Sequence, residues 1–314
     1  MKLMINVKDV YTVSKWEQKQ QYMKEHRDMW RNCFQDPLRY EDFYFQHVYP
    51  HNEVYGIEGC GMLHVNRYLC SVFGCHMELP YIVGVATKET CRRQGIMRCT
   101  MERVLTDLKG KQVPFTYLMP AKEAYYYDFG FRKVSDWRTS DIVPKKKNRQ
   151  RDYIFVSYEE IKKKAHIWQH VLRQIHSTLQ QQFDVFAVHD EHYFDLLYAE
   201  KSCQDGDVIF VFEDMCDDAH FRGFFAYVFD RDTPLVEQIR CDDVEVVCSE
   251  FFLEYPLVKC VYDYPYMMKI IHRESFVALF KEVLDGVSVD DLSDEVLIDF
   301  VRQRKNCLYF AEIV

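Results

Sequence analysis

At 314 residues, with 48% apolar and 28% charged residues, the chain is long enough for two domains and balanced like a globular protein with a sizeable core. Its net charge is −9, with 19 acidic against 4 basic residues between Asp184 and Glu254, which argues against a nucleic-acid partner because phosphate binding needs a concentrated basic face. The opening "MKLMINVKDVYTV" lacks the apolar core of a leader, and no apolar run approaches the roughly 18–20 residues of a membrane span, so no membrane role and a cytoplasmic location are expected.

In chain order, Met23, Arg27 and Trp30 recur at helical spacing within a helix expected over 16–33. "EDFYFQHVY" reads as a short helix, and "EVYGIEGCGMLHVNRYLCSVFG" as strands with polar turns. "LPYIVGVAT" is dense enough in apolar residues to be a strand buried on both faces. The next helix, about 95–109, carries Ile96, Met101, Val104, Leu105 and Leu108 on one face, and Gly110 stops it. "VPFTYLMP" is a further buried strand, "AKEAYYYDFG" a short helix and "FRKVSDW" a last strand. This order describes an α/β layer with a crossover helix.

"PKKKNRQR" is a basic connector. Beyond it, Ile161, Ala165, Trp168, Val171, Leu172 and Ile175 share one face of a helix over about 159–181. The segments "VIFVF", "GFFAYVF", "PLVEQI" and "VEVV" read as a second strand series with the rhythm of the first. No arginine-rich glycine loop follows any of them, so this half is expected to be a structural or substrate-side partner rather than a second active site. From Tyr266 the chain reads as helical, through "MMKIIHRESFVALFKEVL" and "DEVLIDFVRQR", and it closes on the strand-like "NCLYFAEIV". The 12 cysteines show no CxxC and no zinc-ligand spacing; reduced thiols and no metal are expected.

The stretch "CRRQGIMRCT" joins the third apolar strand to its helix. A helix start presents unpaired N–H groups and a partial positive charge, which can hold phosphate oxygens, and arginines strengthen that grip. Taken alone, an arginine-rich helix start is usually only a solvated cap.

"GVAT" followed by "RRQGIM" resembles motif A of the GNAT superfamily of N-acetyltransferases, with Arg92 and Gly95 matching and Met97 in place of a second small residue. That large residue, "YYYDFGFRKV" and the ending "YFAEIV" resemble the Eis-like (enhanced intracellular survival) branch. The resemblance implies tandem GNAT-like mixed-sheet α/β domains, the first catalytic and the second degenerate, with a shortened sterol-carrier-like C-terminal element. The expected boundaries are 1–143, a basic linker over 144–158, 159–264 and 265–314.

It further implies acetyl-CoA as co-substrate. Val85, Ala86 and Thr87 would offer main-chain groups to the thioester and pantetheine, and Arg92, Arg93, Gln94, Gly95, Ile96, Met97 and Arg98 would wrap the pyrophosphate. Tyr126 would act as general acid toward the leaving thiolate, with Tyr125 and Tyr127 as neighbouring registers. The carboxylate of Val314 would accept the proton of the attacking amine through water, and Glu312 and Asp36 could add negative charge, although Asp36 is as readily a turn residue. The implied function is transfer of an acetyl group to a primary amine of a small cationic molecule or a lysine side chain. The alternative is an acyl-CoA-binding sensor without turnover. Assembly as a homo-oligomer stays open.

Overall fold

The computed structural model describes residues 6–145, 153–215, 220–304 and 307–310. The first elements are strand β1 (Tyr11–Val13), helices α1 (Trp16–Phe34) and α2 (Leu38–Phe43), and strands β2 (Glu53–Ile57), β3 (Gly61–Val72) and β4 (Cys75–Thr87). Helix α3 (Ile96–Gly110) and strands β5 (Phe115–Leu118), β6 (Arg132–Lys133), β7 (Arg138–Ile142) and β8 (Ile154–Ser157) follow. Then come helices α4 (Tyr158–Lys162) and α5 (Ala165–Gln182), strand β9 (Val185–Ala187) and helix α6 (Glu191–Ser202). Strands β10 (Asp207–Phe212), β11 (Phe221–Asp230) and β12 (Thr233–Cys241) lead to helix α7 (Val244–Phe251) and strand β13 (Val258–Asp263). Strand β14 (Met267–Ile270), helices α8 (Arg273–Leu279) and α9 (Asp294–Gln303), and strand β15 (Leu308–Tyr309) complete the order.

The chain divides into two compact units. One comprises residues 1–135, 184–187 and 265–314; the other comprises 136–183 and 188–264. Residues 265–314, set apart in the sequence reading, therefore group with the first segment of the chain. Seven of the nine strands in the first unit's sheet lie in the order β1-β2-β3-β4-β5-β14-β6, while β9 pairs with both β3 and β15. Strands β2, β3 and β4 form an antiparallel meander, whereas β4 and β5 are parallel and need the crossover that α3 supplies. Ile96, Met101, Val104 and Leu108 of α3 bury against Leu63, Val65 and Ile82. His64 lies between Leu63 and Val65 and stacks instead on Trp30 of α1. Because successive strand residues point to opposite faces, α1 and α3 cover opposite faces of this sheet.

The second unit has a six-stranded sheet, β7-β13-β12-β11-β10-β8. It repeats the order of the first: a strand, helices, three antiparallel strands, a helix and a parallel strand. Its core gathers Ile209, Val211, Phe225, Val236 and Ile239 beneath Val247 and Cys248. Two mixed sheets, each with this crossover, make a tandem mixed-sheet α/β protein, as the sequence implied.

Four local expectations are corrected. "VEVV" is the start of helix α7, not a strand, because the parallel pair β12–β13 needs a crossover that overrides the β propensity of valine. Residues 267–270, expected to be helical, form β14 between β5 and β6, where Met267 and Met268 are fully buried. The helix expected at 159–181 breaks at Lys163 and Lys164 into α4 and α5. "AKEAYYYDFG" folds as two single 3-10 turns, Glu123–Tyr125 and Tyr127–Phe129. Residues 146–152 of the basic connector lie outside the described residues.

Candidate active site

The site begins with an irregularity in β4. Met62 pairs with Ala86 and His64 with Val83, so Gly84 and Val85 together face Leu63 alone. That is a β-bulge, which leaves the extra residue without a ladder partner. Gly84 adopts φ +62°, a left-handed conformation that favours glycine. A Cβ there would also lie 2.9 Å from Cζ3 of Trp30 and 3.1 Å from Nδ1 of His64. A glycine inside a strand pattern is the signal that could have located the bulge.

The second edge of β4 is equally irregular. It meets β5 only at Tyr81↔Tyr117, while β4 runs on to Thr87. Among the described residues no strand pairs with that edge from Ile82 to Thr87, so an extended, amide-bearing molecule can add there as a further strand. Val85 and Thr87 are half-buried and Ala86 is buried. The carbonyl of Thr87 accepts from the Cys33 thiol at 3.8 Å.

Beyond Thr87 the chain makes a 3-10 turn at Glu89–Cys91, passes through Arg93 at φ +61° and reaches Gly95 at φ +85°. A Cβ at position 95 would touch nothing, so the backbone conformation, not lack of room, selects glycine. Gln94 closes the loop by donating to the carbonyl of Thr90 at 3.0 Å. Arg92 and Arg93 are exposed, and neither forms an ion pair among the described residues. Arg98 is tethered: it sits 3.7 Å from Glu102, 3.6 Å from Asp128 and 5.6 Å from the ring of Phe129.

Helix α3 opens at Ile96 with no side-chain cap. Leaving a cap unmade costs about 1 kcal/mol, whereas each buried apolar side chain of α3 contributes about 1.5–3 kcal/mol. Packing therefore holds the helix and its first amides stay available. Ile96 is the anchor, seated so closely that a Cβ on Gly61 would lie 2.4 Å from its Cγ2. Met97 is half-buried beside the same core.

Of the three consecutive tyrosines, only Tyr126 points inward. It is 6% exposed, against 56% for Tyr125 and 41% for Tyr127. Its ring meets Phe131 edge-on at 5.9 Å, and it belongs to the core that includes Ile96 and Cys99. Burial pushes its phenol up to about 12. Tyr127 donates instead to Glu123 at 2.6 Å.

Asp36 accepts from the indole N–H of Trp30 at 2.9 Å just after α1, as a turn residue would. Val314 and Glu312 lie outside the described residues.

Sequence reasoning missed a buried network next to the bulge. Nδ1 of His64 shares a hydrogen with the Tyr44 hydroxyl at 2.8 Å, and Asn52 donates to the same hydroxyl at 2.9 Å. His26 bridges the Tyr11 and Tyr49 hydroxyls at 2.6 and 2.9 Å. Desolvation holds both imidazoles below their ordinary range. A histidine between two apolar strand residues was the available signal.

The second unit repeats the backbone of the site with acidic residues at its helix start. Strand β12 meets β13 only at Leu235↔Lys259 and Val236↔Cys260, and Asp243 stands at the start of α7 with φ +52°, where α3 has Gly95. Asp242 and Asp243 stand directly ahead of α7, where α3 has Gln94 and Gly95, and would repel a phosphate.

Residues 17–134 match the profile of a family described as Acetyltransferase (GNAT) domain. No curated protein matches the chain. Among solved structures, the chain is similar to a conserved protein of Enterococcus faecalis V583 described as a probable N-acyltransferase, with 14% identity and a TM-score of 0.67 over 85% of this chain and 74% of that one. A GCN5-related N-acetyltransferase of Anabaena variabilis shares 11% identity with a TM-score of 0.63, over 83% of this chain and 73% of that one. Eis1 of Mycobacterium abscessus shares 11% identity with a TM-score of 0.53, over 85% and 74%. At these identities the likeness is one of fold.

Proposed function

We propose that the first unit binds acetyl-CoA and transfers its acetyl group to a primary amine. The carrying observation is the continuous path from the unpaired edge of β4, past the bulge at Gly84, to the uncapped start of α3 with its exposed Arg92 and Arg93. Val85, Ala86 and Thr87 supply the edge on which a pantetheine arm could lie as an added strand. The loop 92–98 supplies amides and guanidinium groups for a pyrophosphate. A thioester brings an activated carbonyl; the protein holds it, excludes water and aims an amine at it. Tyr126 is the group we assign to the departing thiolate, because it alone of the three tyrosines is turned into the core beside α3.

The acceptor is read as a cationic small molecule or a lysine side chain, consistent with the acidic stretch 184–254. A second reading, acyl-CoA binding without turnover, is favoured by one observation: Tyr126 is buried in the core, which raises its phenol and makes it a weaker proton donor to a departing thiolate. Calorimetry with acetyl-CoA, followed by thiol release with a panel of primary amines, tests both. Binding with release supports transfer, binding without release of thiol for any amine supports the sensor, and no heat with any acyl-CoA removes both.

A further inference from the structure

The turn before β3 and the loop after β4 each carry a cysteine, and the two sulfurs meet. Sγ of Cys91 stands 2.9 Å from Sγ of Cys60. The backbones that hold them are already joined: Lys88 N donates to Cys60 O at 2.9 Å, and Cys91 N donates to Lys88 O at 2.8 Å. The β3–β4 register, with Gly61 opposite Thr87, sets the two segments side by side. A disulfide needs sulfurs about 2.05 Å apart, so closing the bond asks for a movement of about 0.9 Å from loops that are in place. Both residues are half-buried, and their neighbours Gly59, Lys88, Thr90 and Arg92 line a cleft of ≈ 700 Å³. By contrast, Cys248 and Cys260, 3.9 Å apart, are both buried in the second unit's core.

We propose that Cys60 and Cys91 are a site of reversible covalent modification by low-molecular-weight disulfides, of which oxidised glutathione is the probe, and that they close an internal disulfide. One thiol gives its proton to solvent and attacks a sulfur of the small disulfide, forming a mixed disulfide and expelling one glutathione thiolate. The second cysteine, deprotonated in turn, attacks the protein-side sulfur of that bond and expels the second glutathione. Two protein thiols lose two electrons, and one small disulfide gains them as two thiols. The cleft is mixed in charge, with Lys24, Lys88 and Arg92 beside Glu25, Asp28 and Glu89, so the proposal rests on the approach of the two sulfurs and not on attraction of the glutathione anion. The new bond would tie the loop that carries Arg92 to the turn before β3; any effect on coenzyme binding rests on the acetyltransferase reading, whereas the bond itself does not.

The test uses the full chain, folded, in graded ratios of oxidised to reduced glutathione, with alkylation, digestion and peptide mass mapping. The expected product is a Cys60–Cys91 linked peptide lighter by about 2 Da than the two thiol peptides, reversed by dithiothreitol. Cys60→Ser and Cys91→Ser should each stop at one glutathione adduct on the remaining cysteine. Wild-type protein in which both residues are alkylated as free thiols at every ratio overturns the proposal. So does a linkage spread among the other cysteines. Because the wild-type map needs no variant, misfolding of a serine variant cannot hide either result.

Discussion

Gly84 on β4 and Trp30 on α1 approach so closely that a Cβ at position 84 would stand 2.9 Å from Cζ3 of the indole. The same residue holds φ +62° within a strand. Steric contact and backbone conformation thus demand glycine together, and the bulge they permit shifts the β3–β4 register along the stretch whose other edge is unpaired after Tyr81.

Replacing Gly84 with alanine should therefore cost about 1–3 kcal/mol of stability, from left-handed strain and contact with Trp30 and His64. Urea denaturation measures it. Acetyl-CoA affinity should fall as well, since the bulge shapes the strand edge. A variant as stable as the parent would mean the position tolerates a side chain and the bulge is not fixed by glycine.

Arg92→Ala and Arg93→Ala should each weaken coenzyme A binding by about 1–3 kcal/mol, the scale of hydrogen bonds to charged groups, with little change in stability because both side chains are exposed. Titration calorimetry at two salt concentrations reads the loss. Affinity indifferent to both substitutions and to salt would place the pyrophosphate elsewhere.

Tyr126→Phe keeps the ring that packs on Phe131 and removes only the hydroxyl. Turnover is expected to drop by about 10²–10⁴-fold, the range of general acid catalysis, with acetyl-CoA binding preserved. Tyr125→Phe and Tyr127→Phe should behave as the parent. Equal kinetics for all three would leave the phenol without a chemical role.

The buried histidines make stability depend on pH. Burial lowers His26 from an ordinary value near 6.5 to about 4, and His64 shifts in the same direction. The unfolded chain takes up a proton below about 6.5 while the folded chain refuses it. The stability is therefore present above pH 6.5 and lost as pH falls toward 4. Between pH 7 and pH 5, His26 alone should remove about 2 kcal/mol. Denaturant midpoints that stay level over that interval would show that the imidazoles are solvated.

Most elements of the first unit were legible from their pattern. The α3 face repeated every three or four residues, the β4 run was apolar, and the loop between them carried cations and glycine where a strand becomes a helix. The tyrosine triplet could not be resolved by sequence, because three identical residues offer no contrast; two 3-10 turns decide that Tyr126 faces inward. The stretch 244–247 was misread because valines favour strands locally, and only the parallel pairing of β12 with β13 requires a helix there.

The sequence by itself determined most of the alternation of strands and helices, the presence of two strand series and the arginine-rich loop, because hydrophobic period and charge are local properties of a chain. Only the tertiary structure decided that β4 bulges at Gly84 and parts from β5 after Tyr81, that β14 enters the first sheet from far along the chain, and that Cys60 meets Cys91. Those are pairings between distant residues. Their register is chosen by which faces can be buried together, and no short stretch of sequence contains that choice.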